Sequence, residues 1–296
     1  MSCPTTTTTN ATNPDTSLLL TLAQTAVLAQ LPPSSLSTAL SQPPFVALPD
    51  TFNTRDLGLV PNSPIRPRLI YRSGGFFAGL SPEGKDALVN QLGVTKIFDL
   101  RSAREHDRRP DPEVDGVEVV WVRPEEKEGE EQQEVGFEEF VEGQGERGYV
   151  RLYLDVLRSY KPGIRRVLEF VRDATGNEAG LIHCTAGRDR TGVVAGLLLS
   201  LAGASMETVG FDYILSRIGV EPVKEQLIAI AMKGYAAKGV DAPGVQNFFS
   251  LRTSCWEAFD KAVDAEYGGF EGYVTKALGF SEEELAKIKG NLVAAD

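Results

Sequence analysis

The sequence predicts an α/β fold: a central, mostly parallel sheet flanked by helices, followed by a helical C-terminal part. Three features predict it. Short β-branched, apolar runs such as "VTKIFDL" and "VEVVWV" alternate with segments of helical period through the first two-thirds of the 296-residue chain. The last third repeats only the helical pattern, broken at 219–222, 239–244, Gly268 and Gly279. Between the two parts, "LIHCTAGRDRTG" (residues 181–192) passes from an apolar strand through a glycine- and arginine-rich loop into a helix.

The elements follow in order. Residues 1–44 read as an N-terminal tail, with a disordered threonine-rich start and a short amphipathic helix within 18–31. The serine- and proline-punctuated stretch 31–45 reads as a wrapping segment or linker. A single domain is expected over 45–293. Its first strand candidate is "LIY" (69–71), and Ser81 then caps a helix with Pro82 and Glu83 in its first turn, ended by Gly93. Strands follow at 94–100 and 117–122, with "RSAREHDRRP" expected as a basic loop between them. Pro162 splits the apolar pattern over 149–173 into two helices. A buried strand at 179–184 leads to a largely apolar helix that stops at Gly203. The C-terminal helical part is expected over 221–293.

Charge and composition exclude several classes. A net charge of −11 argues against nucleic-acid binding. Ten glutamates against Lys127 and Arg147 give the stretch 125–147 a balance of −8, so it is expected as an exposed acidic insertion. No stretch approaches the length of a membrane span. Three scattered cysteines (Cys3, Cys184, Cys255) spell neither a disulfide framework nor a zinc site. The expectation is a soluble cytoplasmic monomer without a metal or other cofactor.

The loop Cys184-Thr185-Ala186-Gly187-Arg188-Asp189-Arg190 carries the chemistry. A cysteine and an arginine separated by five residues can close around one tetrahedral anion, with loop amides and a helix N-terminus adding positive potential. Such a site lowers a thiol's pKa. Arg190 can grip two phosphoryl oxygens, and Gly187 lets the backbone come close. Thr191 is placed to hydrogen-bond the sulfur. His183 and Cys184 alternate across a strand, so His183 serves as a loop-orienting group and not as a protease-type base. Sulfurtransferase loops of the rhodanese kind are shorter, and a thiol-dependent arsenate reductase would need Cys3 or Cys255 as a resolving thiol.

"HCTAGRDRTG" resembles the HC-x5-R signature of cysteine-based phosphatases. Together with "FNTRDLG", "YRSG", "IFDLRSAREHD", "FDYILSR" and "EYGGFEGYVTKALGFSEEEL", it resembles the atypical tyrosine and lipid phosphatases of bacteria and fungi over about 45–293. Arg188 stands where that family usually has lysine, and Leu59 where a second glycine usually follows Gly58. The resemblance implies a phosphatase-like fold and a phosphomonoesterase working through a cysteinyl-phosphate. Its substrate would be a phosphorylated protein, a lipid or an inositol phosphate. A non-catalytic phosphate-binding module is the alternative.

The resemblance points to Asp189 as general acid. Asp99, at the end of a buried strand, is the second candidate, with a salt bridge to Arg101 or Arg190 as its other reading. Asp56 is expected to hold Arg55 or Arg72. Arg72, Arg101 and Arg188, with Arg104, are expected as a basic rim that contacts substrate, whereas Arg108 and Arg109, next to Pro110, read as solvated surface. Residues 221–239 are the place to look for the lid that bacterial relatives can carry, with an ordinary packed helix as the other reading.

Overall fold

The structure, a computed structural model, describes residues 14–125, 136–176, 178–233, 239 and 242–293. Five strands form one sheet: β1 (Arg55–Asp56), β2 (Ile70–Ser73), β3 (Val94–Asp99), β4 (Glu118–Trp121) and β5 (Ala179–His183). Their order is β1-β2-β5-β3-β4, parallel except for β1. The strand leading into the cysteine loop is therefore central, between β2 and β3.

The central strands are buried on both faces, and their alternation sorts side chains into two cores. Ile70, Phe98 and Ile182 join the larger core, while Tyr71, Ile97 and Leu181 join the smaller one. The smaller core is closed by the wide turn at residues 87–91 that continues α3 (Pro82–Asp86). Ser81 caps α3 by accepting from the Gly84 amide at 3.1 Å, as its sequence predicts. Between β3 and β4, where a basic loop was expected, lies α4 (Ala103–Arg108). Its first turn is closed by a reciprocal capping box between Ser102 and Glu105.

The larger core is built by α5 (Glu146–Ser159), α6 (Lys161–Asp173), α7 (Asp189–Leu201) and α8 (Met206–Gly219). Pro162 sits in the first turn of α6, where its missing N–H leaves no bond unmade. The C-terminal elements are α9 (Lys224–Ala231), α10 (Pro243–Phe249), α11 (Thr253–Tyr267), α12 (Gly269–Gly272) and α13 (Glu282–Leu292). Trp256 of α11 packs against α7 at Gly196, where an added Cβ would stand 2.0 Å from its ring. Only glycine admits that approach.

Ahead of β1, α1 (Thr16–Ala23) and α2 (Pro33–Leu40) pack on α8. The helix expected within 18–31 is thus earlier and shorter. The proline-rich stretch expected as linker contains a second helix, with Pro33 in its first turn. The threonine-rich start lies outside the described residues, and so do 126–135 of the expected acidic insertion. The rest of that stretch is not a solvated loop: Phe137 and Phe140 are buried against α10. Residues 221–233 of the expected lid pack through Ile228, Ala231 and Met232 onto a cluster that includes Val27, Phe137 and Phe249, and 234–238 lie outside the described residues. Among the described residues no helix is long and apolar enough to cross a membrane.

Candidate active site

The cysteine loop is a cup because its carbonyls are pulled outward. The Gly75 amide donates to Thr185 O at 3.1 Å, and Asn53 Nδ2 donates to Ala186 O at 3.2 Å and Gly187 O at 2.9 Å. Arg72 Nη2 donates to Gly187 O at 2.8 Å. A trans peptide holds its N–H opposite its C=O, so the amides of Ala186, Gly187 and Arg188 turn into the cup. Gly187 takes φ +62°, and a Cβ there would lie 2.2 Å from Ser73 O. Cys184, 2% exposed, stands at the strand end of this ring, and the first turn of α7 closes it.

Behind the loop lies a fully buried charge cluster. Asp212 of α8 accepts from Arg55 Nε at 2.7 Å and from Arg72 Nη1 at 2.5 Å. Arg55 also donates to Asn53 Oδ1 at 2.6 Å, which orients the amide that grips the loop. Burial alone would raise the Asp212 carboxyl, but the two guanidiniums hold it below its usual range. The cluster carries two positive charges against one negative, directly behind an anion-binding ring.

In front, Arg190 is gripped by Glu105, with Nη1 donating to Oε2 at 2.5 Å and Nη2 to Oε1 at 2.8 Å. Nη1 also donates to Leu100 O at 3.2 Å and to Tyr160 Oη at 3.3 Å. Among the described residues none takes Nε or the second Nη2 hydrogen. One edge of the guanidinium fork is therefore left for an anion. Glu105 is itself locked by its capping box and accepts from Thr185 Oγ1. Burial pushes its carboxyl up, but Arg190 outweighs this and holds it well below the usual carboxylate range.

At the start of α7, Asp189 Oδ1 accepts from Tyr153 Oη at 3.0 Å and Oδ2 from Arg188 Nε at 3.0 Å. Arg188 is 8% exposed, and its Nη atoms donate to Phe248 O and Phe249 O at the end of α10.

Several sequence expectations are corrected here. Arg72, Arg101 and Arg188 are buried, with guanidiniums turned to internal acceptors, so they do not form a substrate-facing rim. Arg104, Arg108 and Arg109 are exposed. Asp99 is bound by Arg101 Nε at 2.8 Å and His106 Nδ1 at 2.8 Å, so of its two readings the salt bridge to Arg101 is the one formed. Arg101 Nη2 bridges from Asp99 to Asp111 Oδ1 at 2.6 Å. Asp99, Asp111 and His183 could hold a metal ion by their spacing, but the Arg101 guanidinium already supplies the cation between the carboxylates. His183 pairs with Asp111 at 3.0 Å and sits 3.3 Å from Cys184 O. Thr191 Oγ1 is buried without a hydrogen-bond partner among the described residues, so the expected bond to sulfur is not formed. Among the described residues Asp56 bonds to no arginine side chain; it accepts from the amides of Gly58 and Arg68, both at 2.8 Å. Burial pushes its carboxyl up to about 6.

Asn53, Glu105, Asp111, Tyr153, Tyr160 and Asp212 were not singled out from the sequence. Two of them left a trace. Ser102-x-x-Glu105 has capping-box spacing, and Asp212 is a lone acid inside the apolar helix "GFDYILS".

A family model described as "Tyrosine phosphatase family" matches residues 46–294. The chain is 27% identical over 278 residues to the triple specificity protein phosphatase PtpB of Mycobacterium tuberculosis, covering 83% of this chain and 98% of that one. It is 32% identical over 220 residues to a tyrosine-protein phosphatase of Nostoc commune, covering 72% of this chain and 70% of that one. A cysteine at the floor of an anion cup, faced by a half-free arginine fork, thus sits in a chain that belongs to the tyrosine phosphatase family, a cysteine-dependent phosphomonoesterase.

Proposed function

We propose that this phosphatase hydrolyses aryl phosphate esters, phosphotyrosyl proteins first among them, with Cys184 as nucleophile. The observation that supports this most is the loop whose Thr185, Ala186 and Gly187 carbonyls are drawn outward, with the Nε–Nη2 edge of Arg190 left open. Cys184 thiolate attacks phosphorus, and the bond to the ester oxygen breaks as Asp189 gives that oxygen its proton. Water then attacks the cysteinyl-phosphate, the sulfur–phosphorus bond breaks, and the Asp189 carboxylate takes the water's proton. Loop amides and Arg190 stabilise the charge on the transferred group.

A second reading, a phosphoinositide or inositol-polyphosphate substrate, draws on Arg104, Arg108 and Arg109. All three are exposed on or just after the helix that carries Glu105. Guanidiniums there could meet a further phosphate. The buried free thiols of Cys184 and Cys255 suit a reducing, cytoplasmic setting.

The test is phosphate release by wild type and Cys184→Ser on phosphotyrosine and phosphoserine peptides, phosphoinositides and inositol polyphosphates. Turnover by wild type, lost in the serine variant and highest on phosphotyrosine, is the expected result. A preference for the inositol compounds moves the assignment to the second reading. Binding of phosphopeptides without turnover of any ester would leave a phosphate-binding module.

A further inference from the structure

We infer that Tyr153 and Tyr213 form a buried hydroxyl relay that positions Asp189 and favours its ionised form. The inference rests on Asp189 being the proton carrier proposed above, and it assigns to α5 and α8 a part in the proton step.

Both phenols are buried, Tyr153 at 0% and Tyr213 at 2% exposed, so each hydroxyl needs a partner inside the protein. Tyr153 has a single hydroxyl hydrogen, directed at Asp189 Oδ1 at 3.0 Å. Its oxygen then accepts from the Tyr213 hydroxyl at 2.9 Å. This is the arrangement for an ionised Asp189. When Asp189 holds its proton for the ester oxygen, the neutral carboxyl accepts the Tyr153 hydrogen bond more weakly, so the pair favours the ionised form.

The surroundings fix the oxygens in place. The Tyr153 ring lies edge-on to Tyr213 at 6.1 Å and to Phe259 at 5.3 Å, and is tilted against Tyr149 at 5.3 Å. Burial pushes both phenols well above their usual 10, so they remain neutral donors. The charged and titratable groups around Asp189 are few. Arg188 pairs with Oδ2, Tyr149 and Tyr153 face it from α5, and Tyr213 faces it from α8. Arg252 and Cys255, around the start of α11, stand behind Tyr149. From α10, Phe248 and Phe249 give their carbonyls to Arg188. Arg188 binds one carboxylate oxygen and Tyr153 the other.

The expected readout is the alkaline limb of kcat/KM, where a general acid loses its proton. Tyr153→Phe keeps the ring and removes the donor to ionised Asp189. The limb should move about one pH unit higher, because the hydrogen bond that favours the carboxylate is gone. Tyr213→Phe leaves the Tyr153 contact in place and should move the limb the same way by less. The probe is phenyl phosphate, whose leaving phenol needs a proton, with p-nitrophenyl phosphate as the ester that depends on it far less. Asp189→Asn is the reference: it should abolish the limb and slow phenyl phosphate more than the nitrophenyl ester.

If Asp189→Asn behaves so while both tyrosine variants titrate like wild type, the relay is overturned. If Asp189→Asn keeps the limb and slows both esters equally, the acid assignment fails instead. Should Tyr153→Phe not fold, Tyr213→Phe decides alone: an unmoved limb overturns the proposal.

Discussion

The two walls of the cup are built on opposite principles. Behind it, Arg55, Arg72 and Asp212 are fully buried and joined to one another and to the loop, with Arg72 Nε the one donor of the three that meets no acceptor among the described residues. In front, the Arg190 and Glu105 side chains are 19% and 32% exposed, and one edge of the guanidinium is unspent. Burial magnifies electrostatics and punishes any unpaired charge, so the back wall can only hold the backbone rigid. Partial exposure weakens a charge pair but leaves it able to exchange a solvent contact for a substrate oxygen. Fixed charges shape the cup; half-exposed ones meet the ligand.

This contrast can be broken by experiment, beginning with the largest stability effect. Asp212→Ala strands two buried guanidiniums and should cost about 3–5 kcal/mol in urea-induced unfolding, with activity lost because Gly187 O loses its anchor. A loss under 1 kcal/mol would mean that water reaches the back wall. Asp56, close to the same wall but bound only by backbone amides, should act through pH. Its folded pKa of about 6 lies above the unfolded value near 3.8, so the native state favours its protonated form. The stability this confers is complete below about pH 4 and is lost as pH rises through 6, by up to about 3 kcal/mol. The difference in unfolding free energy between wild type and Asp56→Asn, followed from pH 4 to 7, should fall with pH; a flat difference contradicts the shift. Glu105→Gln comes last in stability, at under about 1 kcal/mol, because its pair is part-exposed. Its kcat/KM should nevertheless drop about 10- to 100-fold as Arg190 loses its aim. Equal losses of stability in Glu105→Gln and Asp212→Ala would erase the distinction between the walls.

What could be read along the chain was local. Strands 94–100 and 179–184, the Ser81 cap, the Pro162 break and the Cys-x5-Arg loop are each encoded within a few residues. The helix at residues 103–108 was missed because arginines and a following proline suggested a loop, although its capping box lay in the same stretch. The arginine rim was misjudged for a different reason. A guanidinium looks the same in sequence whether it faces solvent or a carboxylate 140 residues away, as Arg72 faces Asp212.

The sequence by itself determined that a thiol, an arginine and a glycine share one loop between a strand and a helix, because that geometry is set by neighbouring residues. Only the tertiary structure decided which arginine keeps a free edge, which carboxylates are consumed in pairs, and that Tyr153 and Tyr213 meet Asp189. Those outcomes depend on burial and on partners brought from distant segments. Charge pairing is settled by distance and dielectric, and neither exists until the chain has folded.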